Sequence, residues 1–333
     1  MVTIKDIAKK TGVSVATVSY ALNNNGSISD AMRKKILSVA EEMHYIPNRN
    51  AQFLKEKNSK TIGLFVSFFS GSFFMYLTES MSHALKLIGY DLEVHITSKS
   101  GTELAAKIAS ANIDAAIVLH YNCTQADADM IVSLMKEKGI PIIFLDRELC
   151  GKGYSSIVID NANGIHQEVE YLFETGHTKI AYLKGENGYD GDKRYEGYKH
   201  AMNLLKLPLR EEWQFYAGGL TEWSGYQAIK AVFSNMQELP DAICCENDCL
   251  ALGCIEALKS YGFYVPQDIS ITGFDNLIPA QLADISLTTI QNPISKMARM
   301  AVDEAIRLMS NCQGRVIFAE IQFIKKDSCA IRR

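Results

Sequence analysis

From Thr61 onward, short apolar runs alternate with longer segments whose apolar residues recur at helical spacing. The apolar runs form two sets, the first at 62–66, 92–96, 115–119 and 142–145 and the second at 180–183, 242–245 and 269–272. The segments between them include 73–88, 161–175 and 248–260. Strands that alternate with helices in this way form doubly wound parallel sheets with helices on both faces. Two sets therefore predict two similar α/β subdomains with a ligand cleft beyond the carboxyl ends of their strands.

The N-terminal part of the chain has a different pattern, that of three short helices. Thr3 can cap the first helix, with Asp6 three residues later as in a capping box, and Gly12 permits the turn that ends this helix. Ser14 can cap a second helix over 15–22. Two short helices that are joined by a glycine turn and braced by a third form a helix-turn-helix, although any small three-helix bundle has the same outline.

The second helix favours the helix-turn-helix interpretation. Its outward N-terminal end carries Val15, Ala16 and Ser19, where an ordinary surface helix would carry Lys or Glu. Small side chains allow a helix to lie deep in a major groove. Residues 1–60 hold ten Lys or Arg against five Asp or Glu, whereas the other 273 residues hold 24 against 33. The chain thus has a basic head (residues 1–60) and an acidic body (residues 61–333). This difference indicates that only the head binds a polyanion.

Length and composition exclude several classes of protein. A chain of 333 residues is too long for one ordinary core, so we expect two or three domains. No stretch approaches the roughly 20 apolar residues of a membrane span, and the N-terminus is charged and lacks the apolar core of a signal peptide. We therefore expect a cytoplasmic protein with no membrane partner. The crowded cysteines fit no paired metal-site spacing, so we expect small core residues and no metal at Cys244, Cys245, Cys249 and Cys254.

The N-terminal motif resembles the opening of the lactose/galactose repressor (LacI/GalR) family. The matching residues are TIKDIAKKTGVSVATVSYALNN at 3–24 and YIPNRNAQFL at 45–54. The resemblance implies a homodimer that binds double-stranded operator DNA, with Val15, Ala16 and Tyr20 at base-reading positions and Thr17 and Ser19 near phosphates. Many members have Arg where this chain has Tyr20, so the operator base preferred there stays open. The other expected DNA contacts are Thr3, Ser14, Asn23, Asn48, Arg49, Ala51, Gln52, Leu54 and Lys55.

Residues 48–57 could form a short hinge helix capped by Asn48. So short a helix is marginally stable alone in water and orders only when a partner chain or DNA holds it. The resemblance implies that it pairs across a dimer in the minor groove, where Leu54 wedges between base pairs. The alternative is a plain linker in which Leu54 packs on the body. Gln52 stands where many members have Arg, which would weaken a backbone contact.

The resemblance extends over nearly the whole body. The matching pieces include Asp146-Arg147, Val158 to Asn161, Gly176-His177, Arg194 with Gly197-Tyr198, Pro240-Asp241, Asn247-Asp248, Val265-Pro266 and Asp268 to Asp275. The implied fold is that of periplasmic sugar-binding proteins, in which the chain crosses three times between subdomains, here near 160, 290 and 320. The expected domains are a helix-turn-helix domain at 1–47, a hinge and linker at 48–60, and an effector-binding and dimerisation domain at 61–333. The last divides into an N-subdomain of about 61–160 and 291–320 and a C-subdomain of about 161–290 and 321–333.

Polar side chains at the ends of predicted strands converge on the mouth of the cleft. Asp146, Asn247 and Asp275 end strands, and Arg194 opens a helix after one. Carboxylates with an Arg suit the paired hydroxyls of a sugar, although Arg194 and Asp275 could instead form a structural ion pair across the cleft. The resemblance also places Phe74 and Asp190 at effector-contacting positions.

Aromatic side chains could stack on a ligand ring. Phe73, Phe74 and Trp223 are the candidates, and ordinary core packing is the alternative, equally weighted for Phe73. Leu220 fills a place where some family members stack an aromatic ring, so we expect Trp223 to substitute. The glycines at 185–191 lack the spacing of a phosphate-binding loop, so we expect them to shape a ligand-binding loop. His177 follows Gly176 at a helix end, which indicates a structural role.

These features predict a transcription regulator, a repressor, whose operator affinity is controlled allosterically by a small-molecule effector. The expected effector is a sugar or sugar derivative, with a purine-like corepressor as the alternative, and the choice between inducer and corepressor stays open. A transport binding protein would need a signal peptide and no helix-turn-helix. No Ser/His/Asp or nucleophile-elbow pattern supports an enzyme, and we expect no cofactor. Residues 327–333 lack leucine heptads, so a dimer is expected rather than a tetramer.

The hinge gives a first prediction. If Leu54 wedges into the minor groove, Leu54→Ala should weaken operator binding by about 1–3 kcal/mol, because the kinked DNA loses its apolar wedge. Effector affinity should be unchanged. Quantitative footprinting of parent and variant measures both the affinity and the protected region. Identical footprints and affinities would support the plain linker instead.

Overall fold

The computed structural model describes residues 2–23, 26, 28–45, 58–67, 71–97, 101–120, 123–145 and 147–332. Contacts divide the chain into two units, Met1–Ser59 and Lys60–Arg333. Two groups of predicted site residues lie outside the described residues, so their roles stay predictions. These are Asp146 in the cleft and Asn48, Arg49, Ala51, Gln52, Leu54 and Lys55 in the hinge.

The N-terminal unit contains the three predicted helices, α1 (Ile4–Thr11), α2 (Val15–Leu22) and α3 (Asp30–Glu42). The carboxylate of Asp6 accepts hydrogen bonds from the backbone nitrogen and the hydroxyl of Thr3, which closes the first turn. Gly12 has a φ of +74°, in the left-handed region, and ends α1. The core of this unit is built from buried residues of all three helices, namely Ile7, Ala8, Val18, Ala21, Ile36 and Ala40.

The first sheet of the body is parallel throughout. Its strand order is β11-β5-β4-β3-β1-β2. The strands are β1 (Thr61–Val66), β2 (Asp91–Ile96), β3 (Ala115–Leu119), β4 (Ile142–Phe144), β5 (Tyr154–Val158) and β11 (Val316–Phe318). The helices around it are α4 (Gly71–Leu87), α5 (Thr102–Ser110), α6 (Gln125–Lys138) and α12 (Ile294–Met309). Helices α4 and α12 share a core with one face and α5 and α6 with the other, because alternate strand residues point to opposite faces.

The second sheet has the order β12-β10-β9-β8-β6-β7, in which only β12 runs antiparallel to its neighbour β10. The strands are β6 (Ile180–Lys184), β7 (Gln214–Tyr216), β8 (Ala242–Cys245), β9 (Ser270–Asp275), β10 (Thr288–Gln291) and β12 (Gln322–Ile324). The helices are α7 (Asn161–Glu174), α8 (Tyr189–Leu204), α9 (Glu222–Val232), α10 (Asp248–Ser260) and the short α11 (Ile278–Leu282). The chain thus passes between the two sheets three times, after β5, after β10 and after β11.

The predicted fold class is confirmed: an all-α helix-turn-helix precedes an α/β body of two doubly wound subdomains. All seven predicted strands are present, and five more lie within the described residues. Strand β5 escaped prediction because Ser155 and Ser156 interrupt its apolar run, although both are buried. The described residues include no helix that is both long and apolar enough to cross a membrane.

Two helices of the second subdomain approach unusually closely. A Cβ built on Gly253 of α10 would lie 1.9 Å from the carbonyl oxygen of Glu222 at the start of α9. A Cβ built on Gly225 of α9 would lie 2.4 Å from the carbonyl oxygen of Leu250. Since backbone atoms cannot give way as a side chain can, these two glycines set the spacing of the helix pair.

A buried carboxylate joins three elements of the first subdomain. Glu304 of α12 accepts hydrogen bonds from Ser155 Oγ of β5 at 2.6 Å, from Arg307 Nη2 at 2.6 Å and from Arg315 Nε at 3.1 Å. Burial alone would raise the pKa of Glu304. The hydrogen bonds from Arg307 and Ser155 and the charge of Arg315 nevertheless hold the pKa below its ordinary value.

This network predicts a pH-dependent contribution to stability. Glu304→Gln should lower the free energy of unfolding by about 1–3 kcal/mol at pH 7, because a buried charge-assisted network is lost. The folded-state pKa is lowered, so the contribution is present above the unfolded-state pKa and disappears as the pH falls through the folded-state value. Urea unfolding at several pH values measures this difference. Asp303→Asn, at an exposed position on the same helix, is the control, and equal stabilities of both variants at pH 7 would contradict the prediction.

Candidate functional site

The outward face of α2 presents the residues predicted to contact DNA. Val15 and Tyr20 are 41% and 46% exposed, and Ala16 is exposed between them. On the opposite face, Val18 and Ala21 are buried in the core. The helix can therefore offer small side chains and one phenol to a groove without disturbing its packing.

The hydroxyl and amide side chains around α2 are tied to its backbone or to each other. Ser14 Oγ accepts a hydrogen bond from Thr17 N at 3.0 Å and lies 2.8 Å from Thr17 Oγ1. Asn23 Nδ2 donates to Ser19 Oγ at 3.3 Å. Thr3 and Ser14 are exposed, whereas Thr17, Ser19 and Asn23 are half-buried.

The ring of Tyr20 packs over a loop glycine. Gly26 has a φ of +79°, and a Cβ built on it would lie 3.1 Å from Tyr20 Cγ. A side chain at position 26 would therefore press on the ring. Gly26 therefore limits where the phenol can point.

A cavity of about 380 Å³ lies between the two subdomains of the body, at the carboxyl ends of their strands. Among the residues that the structure describes, the wall on the first subdomain is almost wholly apolar and comes from α4, α12 and the ends of β3 and β4. The wall on the second subdomain is polar. The lining residues most relevant to a ligand are Phe73, Phe74, Leu77, Leu145, Ile294 and Met297 on the apolar wall and Glu186, Asp190, Arg194, Leu220, Glu222, Glu246, Asn247, Asp275 and Asn292 on the polar wall.

Arg194 is the centre of the polar wall. Its Nε donates to Asn161 Oδ1 at 2.8 Å and its Nη1 donates to the carbonyl oxygen of Glu246 at 2.8 Å. Its guanidinium lies 3.7 Å from the centre of the Phe274 ring, and Nη2 lies 3.7 Å from Asp275 Oδ1. Arg194 and Asp275 both belong to the second subdomain, so the predicted alternative of an ion pair is confirmed, but its placement across the cleft is wrong.

Asp275 ends β9 with unusual backbone geometry. Its φ is +106° and that of Asn276 is +52°, both in a region that side chains other than glycine rarely adopt. Asp275 Oδ1 accepts a hydrogen bond from Asn292 Nδ2 at 3.0 Å. Burial raises the pKa of Asp275, and the charge of Arg194 and the Asn292 hydrogen bond oppose that rise. Strained backbone is commonly kept where a side chain must point at a ligand.

Two further predicted residues line the cavity and also have structural partners. Asp190 Oδ1 accepts a hydrogen bond from Asn161 Nδ2 at 2.8 Å. Asn247 caps α10, since its Oδ1 accepts from Leu250 N at 2.8 Å, and its Nδ2 donates to the carbonyl oxygen of Leu220 at 3.1 Å. The Asn247 amide therefore holds the loop that carries Leu220 against the cavity.

The aromatic predictions have different outcomes. Phe73 and Phe74 both line the cavity in an edge-to-face pair, with ring centres 5.5 Å apart. Leu220 lines it as well. Trp223 does not, because it points outward from the first turn of α9, is 68% exposed and stacks on Tyr226. The expectation that Trp223 substitutes for an aromatic at Leu220 is therefore wrong.

His177 has the structural role that the sequence predicts. It is fully buried, and its Nδ1 and Nε2 lie 2.9 Å from the carbonyl oxygen of Leu172 and 2.8 Å from Ser270 Oγ. Burial lowers the pKa of this imidazole. The clustered cysteines are likewise core residues: Cys244, Cys245, Cys249 and Cys254 are all buried.

Sequence reasoning missed Glu246, which is 3% exposed and lines the cavity. Its Oε2 accepts a hydrogen bond from Gly185 N at 2.8 Å. Burial raises the pKa of Glu246 to about 7, against the opposing effects of the Gly185 N–H, Arg194 and Lys184. The signal was available, because Glu246 directly follows a buried strand, as Asp275 ends one.

The chain matches two family models. Residues 3–48 match "Bacterial regulatory proteins, lacI family" and residues 169–329 match "Periplasmic binding protein-like domain". Among curated proteins, it is 31% identical to "Probable HTH-type transcriptional repressor ExuR" of Bacillus subtilis (strain 168), covering 98% of each chain. It is also 31% identical to "HTH-type transcriptional repressor PurR" of Erwinia tasmaniensis, covering 90% of this chain and 88% of that one.

Among solved structures, the fold is similar to the Lac repressor dimer bound to operator and the anti-inducer ONPF. The TM-score is 0.84 at 24% identity, and 99% of each chain is covered. The family model and the matches along nearly the full length of curated repressors show the family. The chain belongs to the LacI family of bacterial regulatory proteins and is a DNA-binding transcriptional repressor.

Proposed function

We propose that a small-molecule effector, a sugar or sugar derivative, binds in the cavity between the two subdomains and controls operator affinity. The observation that carries the proposal is that the described lining residues form one apolar and one polar wall. A sugar ring has apolar C–H faces and a rim of hydroxyls, so it can satisfy both walls at once. Similar folds include a CelR–cellobiose complex and a regulator from Enterococcus faecium with bound ribose.

Each predicted effector residue except Trp223 then has a proposed role in ligand binding. Arg194 and Asp275 would bind hydroxyls from the polar wall, with Asp190 and Asn247 beside them. Phe73, Phe74 and Leu220 would pack on the ring faces. Asp146 is proposed for the opposite wall from its sequence position after β4. Trp223 is left out of this set because it points away from the cavity.

The DNA-binding part of the proposal assigns residues 1–47 to operator recognition and 48–60 to a hinge. Val15, Ala16 and Tyr20 would meet base edges, and Thr3, Ser14, Thr17, Ser19 and Asn23 would lie near the sugar-phosphate backbone. Asn48, Arg49, Ala51, Gln52, Leu54 and Lys55 would follow the minor groove. We infer that residues 61–333 also form the dimer, as in the Lac repressor dimer bound to operator, and that the protein works in the cytoplasm without catalytic activity.

The switch would act through closure of the cleft. A ligand that contacts both walls favours one arrangement of the two subdomains over another, and only such a difference in affinity can shift the equilibrium. In a dimer this arrangement sets the spacing of the two hinge segments. Because a short hinge helix is marginally stable, a coupling of about 1–3 kcal/mol is enough to order or melt it.

DNA binding should depend steeply on salt. We expect the full chain to bind a pseudo-palindromic duplex with an affinity that falls roughly a thousandfold or more between 50 and 200 mM salt, because Lys and Arg release condensed counterions. A chain that begins at residue 58 should lose operator binding and keep ligand binding. Fluorescence anisotropy measures the operator affinity of the full and the shortened chain, and equal affinities would disprove the assignment of DNA binding to residues 1–57.

Asp275 tests the effector site. Asp275→Ala should weaken effector binding about 10- to 150-fold, as expected for the loss of a hydrogen bond to a charged group. If the ligand is an inducer, the variant should still bind operator but release it poorly. If the ligand is a corepressor, the variant should bind operator weakly at every ligand concentration tested.

The matched control is Asp284→Asn, an exposed carboxylate of the same subdomain that does not line the cavity. Ligands come from a thermal-shift screen of sugars and nucleobases. Operator titrations with parent, Asp275→Ala and Asp284→Asn then separate the cases. A response of Asp275→Ala equal to that of the parent would remove Asp275 from the site.

A further inference from the structure

We infer that the effector is a cationic, unphosphorylated amino sugar whose ammonium group binds beside Glu246. This inference rests on the proposed effector-gated function and names the ligand class of the same cavity. It depends on three features of the polar wall: its charges, the engagement of Arg194, and the buried acceptors that lack donors.

The charges of the lining residues are strongly unequal. The described residues around the cavity include five carboxyl groups but a single cationic side chain, Arg194. The carboxyl groups are Glu186, Asp190, Glu222, Glu246 and Asp275. A phosphate or carboxylate on the ligand would meet like charges at close range, and such contacts disfavour binding.

Arg194 is already engaged before a ligand arrives. Two of its nitrogens donate to Asn161 and to the carbonyl oxygen of Glu246, and the guanidinium plane stacks on Phe274. Its charge is offset by Asp275 at 3.7 Å. Its Nε and Nη1 are therefore already used and its charge is already offset, which disfavours two-point binding of a phosphate or carboxylate.

The start of α8 is not an anion site either. Helix N-termini ordinarily attract anions through their unpaired N–H groups. Here the first turn contains Asp190 and Asp192, and a Cβ built on Gly191 would lie 2.6 Å from Glu246 Oε1. The positive end of the helix thus already faces three carboxyl groups of the protein.

The polar atoms that still need partners are acceptors. Asn292 lines the cavity and is 5% exposed, and its Oδ1 has no hydrogen-bond partner among the described residues. Glu246 uses Oε2 for the Gly185 N–H, while its other oxygen faces Gly191, which has no side chain to cover it. A ligand that supplies donors satisfies both atoms, and an ammonium group supplies three donors together with a charge.

The surroundings of Glu246 favour a cation in particular. The charged groups that face it are Arg194, Lys184 and Asp192. Lys184 pairs with Asp192 at 2.7 Å. Arg194 donates its hydrogen bond to the backbone oxygen of Glu246 and not to the carboxyl group. Burial raises the pKa of Glu246 to about 7 although Arg194 and Lys184 oppose that rise, and a bound ammonium would stabilise its ionised form.

The sign of the pH dependence follows. The ammonium prefers ionised Glu246, so affinity for an amino sugar should rise from pH 6.0 to 7.5 as Glu246, with a pKa of about 7, ionises, and should fall again at higher pH as the amine loses its own proton. A neutral sugar that only donates hydroxyl hydrogen bonds gains far less from this ionisation.

The test compares four matched ligands on each of the gluco, galacto and manno rings: the 2-amino sugar, the neutral parent, the 6-phosphate and the uronate. Isothermal titration of the full-length chain measures binding at pH 6.0 and 7.5. In at least one ring series, the amino sugar should bind about tenfold or more tightly than its neutral parent at pH 7.5, with a smaller advantage at pH 6.0. The phosphate and the uronate should bind more weakly than the parent.

Glu246→Gln keeps the shape and the acceptor for Gly185 but cannot ionise, so it should remove the amino-sugar preference and its pH dependence. Glu256→Gln, at an exposed position on α10, is the control and should keep both. The inference is overturned if a phosphate or uronate binds more tightly than its parent, or if Glu246→Gln keeps the preference. Binding of nucleobases alone, or of no sugar in any series, overturns it equally.

The same ligands in an operator titration distinguish this inference from the function on which it rests. Neutral sugars that change operator affinity with no amino preference would reject the cationic class and leave effector gating intact. An amino sugar that binds through Glu246 without changing operator affinity would support the ligand class and reject gating at this cavity.

Discussion

The buried guanidinium of Arg194 is the interaction on which the polar wall depends. A buried cation is tolerated only where partners compensate its lost hydration. Its partners come from the start of α7, the residue after β8 and the end of β9, and Asp275 in turn holds Asn292. Asn161 and Asn292 lie where the chain crosses between subdomains. Arg194 therefore joins the polar wall to two of the three crossings, and a group bound beside it would lie next to the hydrogen bonds of Asn161 and Asn292.

The two walls differ in a way that suits a switch. The apolar wall rests on α4 and α12, which share a core and are joined at their surface by Ser80 and Ser295, whose hydroxyl oxygens lie 2.8 Å apart. The polar wall is held by a network with defined hydrogen-bond directions. A ligand would thus be oriented by one subdomain and covered by the other. In the proposed switch, closure would depend on excluding water from the apolar side.

Much of the fold was predictable because strand and helix periods are local properties of the sequence. What escaped prediction depends on distant partners. The hydroxyl of buried Ser155 donates a hydrogen bond to Glu304, 149 residues away, and accepts one from the backbone nitrogen of Arg315. Asp275 and Asn247 were identified because they lie at the ends of predicted strands. Glu246 also follows a strand, so the same criterion would have identified it. The direction of Trp223 was not predictable, because it depends on how α9 packs against α10. The unpartnered oxygen of Asn292 likewise becomes visible only once the fold is known.

The close contact of α9 and α10 affects how the ligand preference of such a regulator can change by substitution. Gly253 touches the backbone of Glu222, which itself lines the cavity. Any side chain at position 253 would push the first turn of α9 outward and move a carboxylate of the polar wall with it. Substitutions at position 253, which does not line the cavity, can therefore change the ligand preference. A comparison of two such repressors that considers only their lining residues would overlook this effect. Gly253, which lies behind the polar wall, would contribute to the difference in their specificity.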